Sequence, residues 1–177
     1  MAPFLYGDIE GPEPQTSAWL RGLQHLEEVL ERWVADLEPE GYWWTPELMG
    51  GEDGAAAAGV NPIGSLVRHI GGSSVRLLHY AQGLMPPDAL REEGASDFVP
   101  SGAPGKELYL ECMERLGTVR AGLTALKPEE FAAMREVGRK KIPVRTTIIV
   151  QHLLEHGHAH GGQVILMRKL YDSLARD

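Results

Sequence analysis

Four stretches of this chain carry apolar residues recurring three or four apart, a period that builds helices and not sheets. The first runs Trp19, Leu23, Leu26, Leu30, Trp33 and Leu37 behind Thr16 and Ser17, which suit an N-cap, and stops at Pro39 and Gly41. The second opens at Asn61-Pro62, a cap followed by a first-turn proline, and carries Ile63, Leu66, Val67, Ile70, Ser74, Leu77 and Leu78 towards Gly83 and Pro86. The third follows Gly105 with Tyr109, Met113, Leu116, Val119, Leu123 and Leu126 until Pro128. The fourth begins after Pro143 and runs to about Ser173. No stretch alternates as a strand does, although the β-branched residues between Lys141 and Val150 leave room for a short strand before the last helix. The predicted class is all-α: one domain over residues 1–177, its helices packed as a four-helix bundle whose core can take a ligand or metal.

The connections are longer than such bundles need. Residues 39–60, 84–103 and 128–144 exceed the roughly 2–8 residues usual between bundle helices, so at least one link is expected to cross over the bundle. The first link holds Trp43-Trp44 and a Gly-rich stretch from Gly50 to Gly59 that includes Ala55 to Ala58. The tryptophans suit the mouth of a pocket or, more commonly, a cover over the bundle end.

Charge and cysteine content narrow the functional classes. With 17 basic against 25 acidic residues, the net charge of −8 opposes a phosphate-neutralising surface, so nucleic acid is not an expected partner. Cys112 is the only cysteine, which rules out an internal disulfide framework and fits a reducing compartment. Beside the third stripe it reads as a small core or boundary residue rather than a nucleophile. The chain has neither a basic, apolar start nor a membrane-length apolar run, so no membrane association and a cytoplasmic location are expected.

The fourth helix carries the chemistry. Between Gln151 and Gln163 lie four of the seven histidines, and steps of four place His152, His156 and His160 on one face with His158 opposite. Continued through this region, the seam reads Ile149, Leu153, His156, His160, Gln163, Met167 and Leu170, so two histidines stand where leucines would. Each buried ring costs about 1–3 kcal/mol unless it is hydrogen-bonded or bound to something. A metal ion offsets that cost; carbonyls or waters are the alternative. The seam favours His156 with His160 and leaves His152 as a flanking residue. Gln163 is the next seam position, suited to bond a ligand or to join two helices.

The string His152-Leu-Leu-Glu155-His156 also matches the inverted zinc-protease motif. That motif needs an acidic ligand well downstream, and only Asp172 and Asp177 follow. Gly157, Gly161 and Gly162 each cost a helix interior about 1 kcal/mol relative to alanine, which predicts close approach of a neighbouring helix or ligand, the alternative being a kink. Two ligands do not close a site, and the second helix offers His69 and His79. His79 falls nearly opposite the apolar stripe and His69 to one flank with Leu66 and Ser73, which favours His69. His25 reads as a surface residue. Arg76 and Arg168 suit the carboxylates of a ligand, or ordinary salt bridges.

A histidine in the second of four helices, then H-x-x-x-H followed by Gly-Gln near the C-terminus, resembles the DinB/YfiT-like superfamily of damage-inducible, metal-dependent proteins. By position, His69, His156 and His160 match that family's three metal ligands, and Gly162-Gln163 matches its Gly-Gln. The family often has a second adjacent histidine and an arginine before Gly-Gln, where this chain has Ala159 and Gly161. The resemblance implies an up-down-down-up bundle with long crossovers, a homodimer, and a divalent ion, usually nickel or zinc. Some relatives are S-transferases or isomerases that use bacillithiol, mycothiol or glutathione.

Three neutral imidazoles leave a divalent charge uncompensated and a coordination position open, the layout of a catalytic site. The expected function is therefore a metal-dependent transferase activating a low-molecular-weight thiol, with a small-molecule partner. The alternatives are a non-catalytic metal-binding or stress-response protein and a metal-dependent hydrolase.

Overall fold

The first apolar stripe forms α1 (Pro14–Val34) in the computed structural model, which describes residues 3–46, 60–99 and 103–175. Its cap is not Thr16 or Ser17. The Glu13 carboxylate accepts from the backbone nitrogens of Gln15 (3.2 Å) and Thr16 (2.8 Å), and Pro14 fills the position whose missing N–H would be orphaned in any case. An anionic acceptor also suits the positive end of the helix dipole. Thr16 and Ser17 are buried in the first turn, and the Ser17 hydroxyl accepts from the Ile9 backbone N–H at 2.7 Å.

A short α2 (Pro39–Trp43) follows, and its Tyr42, fully buried, donates its hydroxyl to the Val34 carbonyl at 3.1 Å. The second stripe forms α3 (Ile63–Ala81), with Pro62 in the cap position one residue later than expected. A further α4 (Asp88–Ser96) lies in what the period left as a connection; it has no buried apolar stripe from which it could have been read. The third stripe forms α5 (Gly105–Ala125), where Cys112 rather than Met113 lies on the buried line with Leu116, Val119 and Leu123. The strand before the last helix is real and has a partner: β1 (Met134–Val137) pairs antiparallel with β2 (Ile142–Arg145), Pro143 opposite Glu136. Gly138 and Lys141 turn the chain with positive φ (71° and 50°). The fourth stripe forms α6 (Thr146–Leu174).

The class is all-α with this one hairpin among the described residues. One apolar core joins α1, α2, α3, α5 and α6. Among the four long helices, α3 packs against α5 and α6, and α1 against the same two. The long helices joined by residues 35–62 therefore stand on a diagonal, as do those joined by 126–145. This accounts for the length of both links, because each has to cross an end of the bundle. At one such crossing Trp43 donates its indole N–H to the Ala103 carbonyl (3.0 Å), and Trp44 meets Tyr171 edge to face. The tryptophans thus cover the bundle end. Gly50 to Gly59, with Ala55 to Ala58, and Asp177 lie outside the described residues.

The seam of α6 differs from its expected course. Beyond Leu153 the buried positions are Leu154, Gly157, Gly161, Val164, Met167, Arg168 and Tyr171, while His156, His160 and Leu170 are half-buried and Gln163 is exposed. A hydrophobicity period passes over glycine, yet glycine is where α1 comes nearest. A Cβ at Gly157 would stand 2.6 Å from Leu26 Cδ2, and one at Gly161 would make ordinary contact with Leu26 and Val29. Gly162 faces open space, so close packing does not explain it. Arg168 lies in the seam, 5% exposed, and pairs with Asp36 (2.8 Å) and Asp172 (2.9 Å); it is a structural cation, not a ligand-binding one.

Candidate metal centre

The start of α6 is tied to the end of α3: the Thr146 hydroxyl donates to the Ala81 carbonyl at 3.3 Å. From that point the two helices run back along each other, which sets which residues share a level. At 1.5 Å per residue, His69 lies about 18 Å along α3 from Ala81, and His156 and His160 about 15 and 21 Å along α6 from Thr146. His69 therefore arrives between them. Its ring centroid is 4.9 Å from that of His156 and 4.8 Å from that of His160, which are 4.5 Å from each other. His69 Nε2 lies 2.8 Å from His156 Nε2, and one ring nitrogen from each of the three falls within 4.8 Å of the others.

The remaining histidines separate from this trio. His152 is exposed, its ring 5.6 Å from that of His156, so it flanks the cluster. His158 bonds the Gly22 carbonyl through Nε2 at 3.0 Å and sits beside the exposed His25 on the α1 side. His79 Nδ1 donates to the Val75 carbonyl at 2.8 Å within its own helix.

Two of the three clustered rings are held at Nδ1. His69 Nδ1 lies 2.9 Å from Asp97 Oδ2, and His160 Nδ1 lies 2.8 Å from Gln163 Oε1. Gln163 thus makes neither an interhelical bond nor a free ligand-facing one; it orients His160 from one turn further along α6. Asp97 is the residue that sequence reading missed. It sits just past α4, with no period to mark it, and its side chain is fully buried between His69 and Arg76, the latter 3.0 Å away. Arg68 adds hydrogen bonds to the Asp97 carbonyl (3.1 Å) and the Val99 carbonyl (2.7 Å). The Phe98 ring, 4.5 Å from that of His69, borders the cluster. Arg76 is committed to Asp97 and to the Leu90 carbonyl at 3.1 Å.

The electrostatics favour cation binding by neutral rings. Burial pushes His156 down, and His160, His69, His152 and Arg76 push it further, to about 4. It is therefore uncharged at neutral pH, its lone pair available. Burial alone would raise Asp97, but its bonds from His69 and Arg76 outweigh this and hold the carboxyl below its usual range. Burial pushes the Cys112 thiol up to about 12, and it packs against Gly71 of α3 as an inert core residue.

The depressed His156 value has a stability consequence. Between about pH 6.5 and 4 the unfolded chain binds a proton that the folded chain refuses, so in metal-free protein this group makes stability rise with pH across that window. Its contribution is complete above about 6.5 and lost on acidification. Urea midpoints of metal-free wild type are expected to fall from pH 6.5 to 4, with a shallower slope in His156→Leu. Identical slopes would show that His156 titrates normally.

Three clustered imidazoles, two oriented by partners and one held neutral, are a donor set whose chemistry fits a divalent ion. No helix of the described residues is long and apolar enough to cross a membrane. No curated protein matches the chain. The family model of the DinB superfamily matches residues 23–164, a span that contains all three clustered histidines.

Proposed function

The chain belongs to the DinB superfamily, and from that premise we propose that it is a metal-dependent transferase that activates a low-molecular-weight thiol at a divalent ion held by His69, His156 and His160. The observation that carries the reading is the convergence of three half-buried imidazoles from two helices with no carboxylate among them. Such a donor set suits nickel or zinc and leaves positive charge that attracts an anionic ligand. A divalent ion there would lower the pKa of a bound thiol and keep it as thiolate at neutral pH.

The chain's own residues prepare that site. His156 offers its lone pair because its surroundings repel a proton. Gln163 turns His160 so that Nε2 is free of its proton. Phe98, itself exposed, sets an apolar ring against the His69 side of the site. The three rings are half-buried and so remain partly open to solvent, which a closed structural site does not need.

The test is elemental analysis of purified protein, followed by conjugation of a chromogenic electrophile to glutathione, bacillithiol and mycothiol with the metal removed and restored. Stoichiometric metal and metal-dependent conjugation are expected. Metal without turnover on any thiol or on an ester panel would leave a binding protein; ester cleavage alone would make it a hydrolase.

A further inference from the structure

We infer that Asp97 is a positioning residue of the metal centre, its buried carboxylate fixing His69 as the tautomer whose Nε2 lone pair faces the ion. The inference rests on the metal-binding reading above and adds a residue that neither the histidine pattern nor the family match singles out.

A carboxylate can only accept at His69 Nδ1, so the 2.9 Å contact requires the proton there and strips it from Nε2. Without such a partner, imidazole exchanges between two tautomers, and the one protonated at Nε2 cannot ligate through that atom. The bond also strengthens the ring as a donor, since partial negative charge at Nδ1 is passed to Nε2.

Several features show that Asp97 is held for this contact rather than exposed to chance. Its side chain is fully buried, and burying a carboxylate is costly unless it is paired. Arg76 supplies the pairing charge through the same oxygen, Oδ2, that meets His69. Arg68 grips the backbone on either side of Phe98, at residues 97 and 99. Three residues of one helix, Arg68, His69 and Arg76, thus fasten a single aspartate. Oδ1 is buried with no hydrogen-bond partner among the described residues.

Asp97 and Gln163 each hold an Nδ1, but Gln163 is neutral and exposed, so water can replace it. Asp97 is charged and shielded. Loss of an orienting partner of this second kind weakens metal binding by about 10–100-fold.

The experiment uses the full chain, as Asp97→Asn, Asp97→Ala and Gln163→Ala beside wild type. Affinity is read by competition for nickel or zinc against a chelator, and the His69 tautomer by nitrogen-15 NMR of the metal-free protein. Asp97→Asn, which keeps the shape but loses the charge, is expected to bind about 10–100-fold more weakly. Asp97→Ala should also turn His69 from one tautomer, protonated at Nδ1, into a mixture. Gln163→Ala should lose less than either.

Wild-type affinity in both Asp97 variants, with an unchanged tautomer and only a lowered melting temperature, would make Asp97 a structural residue and overturn the inference while leaving the metal centre standing. Should both variants fail to fold, wild-type NMR still decides: His69 protonated at Nε2 refutes it. Wild type that takes up no metal at all would instead overturn the functional reading, and this inference with it.

Discussion

Replacing His156 with alanine is expected to abolish stoichiometric metal binding while leaving the fold intact. His156 touches both other candidate ligands: its Nε2 lies 2.8 Å from that of His69, and its ring is 4.5 Å from that of His160. Removing it leaves two imidazoles from different helices and no chelating pair on α6. The loss should therefore exceed the about 10–100-fold that an orienting partner is worth. The fold should tolerate the change because His156 lies beside the buried line of α6, not in it, and alanine is the better helix former. Elemental analysis after reconstitution, with circular dichroism as the control, tests this. Full metal occupancy in a folded His156→Ala protein would remove His156 from the ligand set.

The largest effect on stability is expected at Leu26, and its sign pattern is more telling than its size. Leu26 is completely buried and packs against Gly157 of α6. Leu26→Ala should cost about 2–5 kcal/mol, the range for emptying a buried leucine site. Gly157→Ala gains about 1 kcal/mol of helix propensity but forces a methyl to within 2.6 Å of Leu26 Cδ2. Overpacking of that kind costs about 1–3 kcal/mol, so the single variant should be destabilised. In the Leu26→Ala background the obstructing atom is gone, and the same glycine substitution should become stabilising. Gly162→Ala, next to open space, should stabilise by up to about 1 kcal/mol in either background. Urea unfolding of the four proteins in the Leu26/Gly157 cycle measures the coupling. Additive effects would mean that α1 and α6 do not approach each other at this glycine.

The same glycine explains where sequence reading went astray on α6. The period followed large apolar side chains and led through His156, His160 and Gln163, placing the histidines in the core. The true contact with α1 runs through Gly157 and Gly161, which hydrophobicity does not register because a glycine is buried by what comes close to it. Correcting the seam moves the histidines to its half-buried edge. The seam that singled them out over His152 is therefore not the reason they stand together; the arrival of His69 beside both rings is.

Asp97 and α4 were illegible for a related reason. Neither carries a repeating apolar face, and an aspartate in a connection reads as solvated until a partner helix closes over it. Similarly, β2 left a trace in its β-branched residues, whereas β1, Met-Arg-Glu-Val, did not.

By itself the sequence determined the four long helices, the all-α class and the shared face of His152, His156 and His160, because each follows from the repeat of a single helix. It favoured His69 over His79 as the third histidine, by its place beside the apolar stripe and by the family resemblance, but gave neither ring a position in space. The antiparallel course of α3 and α6 from the Thr146–Ala81 contact supplied that position. It brings His69 level with the pair and leaves His79, two residues from Ala81, about 12 Å short of His156. Tertiary structure also decided the diagonal crossings, the glycine seam and the burial of Asp97. All of these depend on which two elements meet, and a period describes only one element at a time.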